Sequence, residues 1–144
     1  MAVCGITLVS FAAGSLVAAT AATVNQAGTA SNHVFELRIY HAVPGKLPAL
    51  ESRFRDTTSN LLAKHDLKVV GYWVAEDAAA SENALSNTFV FLVAHTSREG
   101  AKASWDAMWV DPGFRELVKS EKADKLVEKV DATYMRPTDF SPIK

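Results

Sequence analysis

The chain has 144 residues, 49% of them apolar and 22% charged, with 15 Lys and Arg set against 16 Asp and Glu. That length and balance describe one soluble globular domain around a single core. A net charge of −1 provides no basic field, so nucleic acid and anionic lipid surfaces are disfavoured as partners.

The charges avoid the N-terminus: from Met1 to Phe35 there is no Asp, Glu, Lys or Arg. Ala2 to Val24 is rich in Ala, Val and Leu and ends near Ala19-Thr20-Ala21-Ala22, small residues of the kind that precede a cleavage site. Residues 1–24 therefore read as a signal peptide. The alternative is an uncleaved anchor, for which about 20 apolar residues suffice. Cleavage gives an exported protein, periplasmic or secreted, with no stable membrane span after processing. Cys4, the single cysteine, leaves with the signal, so the mature domain is expected to have no disulfide and no thiolate metal site. Residues 25–32 form a polar, flexible lead, and the domain occupies 33–144.

Val34 to Tyr40 alternates at period two, with Phe35, Leu37 and Ile39 on one phase and Glu36, Arg38 and Tyr40 on the other, as a first strand does. The turn Pro44-Gly45 ends it, and Leu47, Leu50, Phe54, Thr57 or Thr58, and Leu61 recur at helical spacing to about His65 and Asp66. Leu67 to Val74 is β-branched and aromatic, a second strand. A loop from Glu76 to Ser86 leads to Asn87–Ala94, an apolar run expected to be central in the sheet. Thr96 and Glu99 have capping-box spacing and start a second helix, with Ala101, Trp105 and Met108 on its buried side. Asp111-Pro112 caps and restarts that helix, with Phe114, Leu117 and Val118 inward. Leu126 to Met135 is a fourth strand, closed by Pro137.

The order βαββαβ is a split βαβ unit, an α+β ferredoxin-like fold with a four-stranded antiparallel sheet and both helices on one face. The helix-facing phase of the first strand is read as Phe35, Leu37 and Ile39. The third strand is apolar on both phases, and the second and fourth carry Val, Tyr and Met off the helix side. Exposing a second apolar face costs about 25 cal/mol per Å². A homodimer that pairs two sheets face to face removes that cost and encloses a barrel-like interior.

Phe35-Glu36-Leu37-Arg38-Ile39-Tyr40, Pro44-Gly45-Lys46, Val69-Val70-Gly71-Tyr72-Trp73, Asn87-Thr88-Phe89-Val90, Asp111-Pro112 and Arg136-Pro137-Thr138-Asp139-Phe140-Ser141-Pro142 together resemble a NIPSNAP domain, over about Val34 to Pro142. The resemblance implies a ferredoxin-like fold that dimerises as an α/β barrel. That architecture is shared with cofactor-free monooxygenases, haem-degrading enzymes and small ligand binders. It implies no single activity: bacterial members are mostly uncharacterised, and animal members are known for mitochondrial and membrane-trafficking partnerships. Phe114 departs from the commoner Asp-Pro-x-Trp pattern and keeps an aromatic residue there.

Candidate ligand-binding residues are Glu36, Arg38, Tyr40 and Trp73. On the phase opposite the helix-packing residues, the first three point into a paired-sheet interior, where Arg38 can fork a carboxylate and Tyr40 can donate a hydrogen bond. The structural alternative is a Glu36–Arg38 ion pair that fixes the dimer register. Trp73, with Tyr72, Trp105 and Trp109, can stack on a flat ligand or fill a core. His33, His41, His65 and His95 lack metal-ligand spacing; His95, just past the third strand, is the one candidate for a haem or metal ligand. No Gly-rich phosphate loop, G-x-S-x-G elbow or H-E-x-x-H occurs. No catalytic residue, metal or cofactor is assigned. The expected function is a dimeric barrel that binds or converts a small organic molecule without metal. The alternative is a non-enzymatic protein-interaction module that uses the dimer surface or the tail Pro137 to Lys144.

Overall fold

A computed structural model describes residues 33–75 and 85–144. The expected signal and lead segments, and most of the expected loop from Glu76 to Ser86, lie outside the described residues.

The elements follow the expected order. They are β1 (Val34–Ala42), α1 (Leu47–Arg53), a π-helical turn (Phe54–Thr58), α2 (Ser59–Lys64), β2 (Lys68–Val74), β3 (Thr88–His95), α3 (Arg98–Val110), α4 (Pro112–Ala123) and β4 (Val127–Met135). The four strands form one antiparallel sheet in the order β2-β3-β1-β4. This is the ferredoxin-like α+β arrangement, with β1 and β3 central.

Local chemistry sets the boundaries. Gly45 takes φ +77° in the turn that reverses β1 into α1, a conformation glycine adopts without a Cβ penalty. Ser97, one residue later than the expected cap, accepts the Gly100 N–H at 3.0 Å and starts α3. Asp111 ends α3 and caps α4, its Oδ1 accepting from Gly113 N at 2.7 Å and Phe114 N at 3.3 Å. The same carboxylate holds α2, because its Oδ2 meets Lys64 Nζ at 2.6 Å and His65 Nε2 at 3.0 Å.

The first helical segment is not uniformly α. Its fully buried positions are Leu50, Phe54, Thr58 and Leu62, a strict spacing of four. At about 3.6 residues per turn such a row drifts about 40° per step around an α-helix. The wider π turn over Phe54–Thr58 keeps the row in line, and Ser59 Oγ donates to the Phe54 carbonyl at 2.7 Å inside it.

The core lies between sheet and helices: Leu50, Phe54 and Leu62 from the first helical layer and Met108 from α3 pack on Phe89, Phe91 and Val93 of β3. Phe54 is the centre of an aromatic group, with ring centroids 4.4 Å from Phe89 and 5.3 Å from both Phe91 and Tyr40.

This packing reverses the face assignment read from β1. Directly opposite residues on neighbouring strands share a face, and Arg38 lies opposite Phe91, Tyr40 opposite Phe89 and Glu36 opposite Val93. Glu36, Arg38 and Tyr40 therefore face the helices, while Phe35, Leu37 and Ile39 face the other way with Ala94, Leu92 and Val90. The bulky phase of β3 decides the matter: Phe89, Phe91 and Val93 are the residues large enough to meet Phe54 and Met108, and register carries the polar phase of β1 with them.

Candidate functional site

Glu36 is 1% exposed, and its carboxylate is surrounded by donors. Arg38 Nη1 donates to Oε1 at 2.7 Å, and Trp105 Nε1 donates to Oε2 at 2.6 Å. His95 Nε2 also meets Oε2, at 3.0 Å, and against a carboxylate that nitrogen carries the proton. Burial alone would raise the Glu36 pKa, but the hydrogen bonds from His95, Trp105 and Arg38 outweigh it and hold the group below its ordinary 4.5. Tyr134, opposite Glu36 on β4, shifts the other way: burial, and then the negative charge of Glu36, push its phenol above 10.0.

His95, the sequence candidate for a metal or haem ligand, is thus engaged by Glu36 in a buried pair. Among the described residues no three His, Cys, Asp or Glu side chains converge as a metal site would require.

Arg38 extends from this network along the inner face of the sheet. Its guanidinium lies over the Trp105 ring at 4.2 Å and 5.8 Å from the Tyr40 centroid, a stacking that fixes a planar cation while leaving its edge free to hydrogen-bond. Beyond it is a cavity of about 370 Å³ between the sheet and the helices. Arg38 and Tyr40 border it from β1, Arg53 and Thr58 from the first helical segment, and Trp105 from α3. The wall from α4 is Phe114, Leu117 and Val118. None of the α4 residues is fully buried: Phe114 packs against the edge of the core and the Trp109 ring, and all three border the cavity.

Arg53 is paired with the Oε2 of Glu121, near the end of α4. The other oxygen of Glu121 accepts the Leu126 and Val127 backbone N–H groups, each at 2.8 Å, tying α4 to the start of β4. Three polar atoms around this cavity are buried without a hydrogen-bond partner among the described residues: Arg38 Nε, Arg53 Nε and Thr58 Oγ1. Buried polar atoms are seldom left so, and all three side chains line the same space.

The structure brings together Glu36, Arg38 and Tyr40, on the helix side of the sheet rather than on the face opposite. Trp73 is separated from them. It is paired with Val90 on the outer face, it is 51% exposed, and its indole covers Gly71, where a Cβ would come within 2.8 Å of the ring. Sequence reading missed Arg53, Thr58 and Glu121. The one signal for the first two was the four-residue spacing of Leu50, Phe54, Thr58 and Leu62; nothing marked Glu121.

Solved structures with this fold include an uncharacterised NIPSNAP-like domain protein from Burkholderia xenovorans, 18% identical, matched over 78% of this chain and 90% of its own with a TM-score of 0.66. A NIPSNAP family protein of unknown function from Agrobacterium tumefaciens is 22% identical over 79% of this chain and 96% of its own, with a TM-score of 0.68. A putative antibiotic biosynthesis monooxygenase from Bacteroides thetaiotaomicron, 12% identical, matches 80% of this chain and 96% of its own with a TM-score of 0.51. At these identities the likeness is one of fold. No curated protein matches the chain. The NIPSNAP family model matches residues 35–142, nearly the whole of the domain, and the chain belongs to the NIPSNAP family.

Proposed function

We propose that this NIPSNAP protein is exported, works as a homodimer, and binds or converts a small, largely apolar organic molecule in the cavity between its sheet and helices. The carrying observation is that cavity of about 370 Å³, within the range of small-molecule sites and like them apolar with a few placed polar groups. A packed domain leaves few voids larger than a water molecule. Here Phe114, Leu117 and Val118 present apolar surface to space that a ligand can fill.

A second copy of the chain is the occupant proposed for the outer sheet face. Leu37, Ile39, Val90 and Leu92 are half-buried at its centre, and among the described residues no helix lies over them. The hydrogen-bonded polar groups of His41, Lys129 and Asp131 stand at one margin. An apolar centre with a polar rim is how a self-complementary interface is built. Export rests on the charge-free N-terminal stretch described above.

The test of the cavity uses the uncharged fluorescent probe N-phenyl-1-naphthylamine. The wild-type chain is expected to enhance its emission saturably, and Val118→Trp, which fills the space from α4, is expected to abolish the signal without lowering the thermal midpoint. Equal probe binding by both proteins would remove the cavity from the account. Native mass spectrometry of protein purified from its own host provides an independent reading through a co-purifying small molecule.

A second reading, the non-enzymatic interaction module, draws on the C-terminal tail, where Phe140 is 84% exposed. In that case the wild-type chain gives no probe signal, and Phe140→Ser rather than Val118→Trp removes its activity in the host.

A further inference from the structure

Resting on the cavity reading above, we propose that the ligand is an apolar monocarboxylic acid whose carboxylate is held by Arg38 and Arg53, with the Thr58 hydroxyl as a third donor. The inference follows from a census of donors and acceptors around one space. Among the described residues Glu121 is the one carboxylate bordering the cavity, and it already holds three donors: Oε1 takes two backbone N–H groups and Oε2 takes Arg53. Glu36, behind Arg38, likewise holds three donors, from Arg38, His95 and Trp105.

The donors are in surplus. Each of the two guanidiniums gives one Nη1 to a carboxylate, and each keeps a buried Nε with no acceptor among the described residues. Thr58, 4% exposed, has its hydroxyl in the same condition. A guanidinium stays charged and has no acceptor atom, so only an incoming acceptor can satisfy it. A ligand that offered donors would meet carboxylates that already hold three donors each, and more N–H groups. A carboxylate supplies two oxygens with about four lone-pair directions in one plane, the geometry an arginine fork matches.

The π turn is what makes this convergence possible. By holding Leu50, Phe54, Thr58 and Leu62 in one row it brings Arg53 and Thr58 to the cavity wall together. The rest of the wall, including Phe91, Met108, Leu117 and Val118, offers no further charge, so one head group on an apolar body is the matching shape. At about 30 Å³ per water volume the space holds roughly a dozen waters, and so a body of roughly a dozen heavy atoms.

The experiment compares 1-naphthoic acid with 1-naphthamide, near-isosteres that differ in charge, by calorimetric titration of the full wild-type chain at pH 7. The acid is expected to bind at least 10-fold more tightly than the amide. Arg38→Gln and Arg53→Gln, checked for wild-type far-ultraviolet dichroism, are each expected to reduce that preference, and Thr58→Val to reduce it less. Equal affinity for acid and amide overturns the carboxylate assignment while leaving the cavity as a binding site. Binding of neither molecule, with no response to the neutral naphthylamine probe, removes the cavity reading itself. An acid preference that survives in both Gln variants overturns the roles given to the arginines. The wild-type comparison needs no variant, so a poorly folding substitution does not shelter the proposal.

Discussion

Replacing Glu36 with Gln is the most direct probe of the buried network. The carboxylate receives Arg38 Nη1, Trp105 Nε1 and His95 Nε2 within 3.0 Å. An amide in its place has one acceptor oxygen and an NH₂ group, so at least one of the three donors must face another N–H. Breaking a buried ion pair costs about 3–5 kcal/mol. Because the Arg38 side chain keeps 18% of its exposure, some of that cost is relieved by water and ~3 kcal/mol is the expected loss. For a domain of this size that lowers the melting temperature by roughly 12 °C, at about 4 °C per kcal/mol.

The pH dependence gives the sign independently. The folded pKa of Glu36 lies below its ordinary 4.5, so its contribution is complete above about pH 4.5 and is lost as pH falls through the lowered folded value. The gap in melting temperature between wild type and variant should be level at neutral pH and close in acid. Differential scanning calorimetry from pH 3 to 8 measures both. A loss under about 3 °C at pH 7, or a gap that does not narrow in acid, would refute the view that the ionised carboxylate anchors this network.

Asp111→Ala should lower the melting temperature more than Asp111→Asn, since Asn keeps an oxygen for the Gly113 and Phe114 N–H groups and loses only the charge opposite Lys64 and His65. The Lys64 and His65 hydrogen bonds hold the Asp111 carboxyl well below its ordinary 3.8, so the gap between wild type and Asp111→Asn is expected in full above about pH 4 and should narrow in stronger acid, while the gap between Asn and Ala stays level; thermal scans at pH 7 and pH 2.5 check it. Met108→Ala, at a position 1% exposed, should cost ~3 kcal/mol in urea unfolding and enlarge the cavity wall, admitting probes that wild type excludes. Ile39→Glu puts a charge in the centre of the outer face without touching the cavity, and multi-angle light scattering at micromolar concentration should find a dimer for wild type and a monomer for the variant. A monomeric wild type would end the homodimer proposal.

How much of this was legible depends on the element. Strand and helix positions were readable because the punctuation is local: Gly45 turns the chain, and Asp111-Pro112 caps one helix as it ends another. The side of the sheet was not, because the alternation in β1 says which residues share a phase and nothing about which phase the helices cover. Phe35, Leu37 and Ile39 look like core, yet the decision lay in β3, whose two phases are both apolar and differ in bulk. The candidate trio of Glu36, Arg38 and Tyr40 was found as neighbours on one phase, which needs only strand periodicity. Their partners His95 and Trp105 lie 59 and 69 residues from Glu36 along the chain, and pairings of that kind are fixed by topology.

The reversal of faces changes what the polar residues of β1 are for. On an outer face Glu36 and Arg38 would be an ion pair at a subunit boundary, half solvated and worth little. Under the helices the same pair is screened far less, with Glu36 almost wholly buried and Arg38 only partly exposed, and the fold satisfies the carboxylate with Trp105 and His95. That satisfaction is one-sided. Glu36 accepts from three donors, while Arg38 is braced by Trp105 and Glu36 and still holds a buried Nε without an acceptor among the described residues. Arg53 repeats the pattern through Glu121. Two cations, each steadied by a carboxylate on one side and bordering the same cavity, are poorly explained as stability devices, because apolar side chains of similar volume would fill the space at lower cost. They are better explained as a preorganised site, where the energy of holding donors in place is recovered only when an acceptor enters.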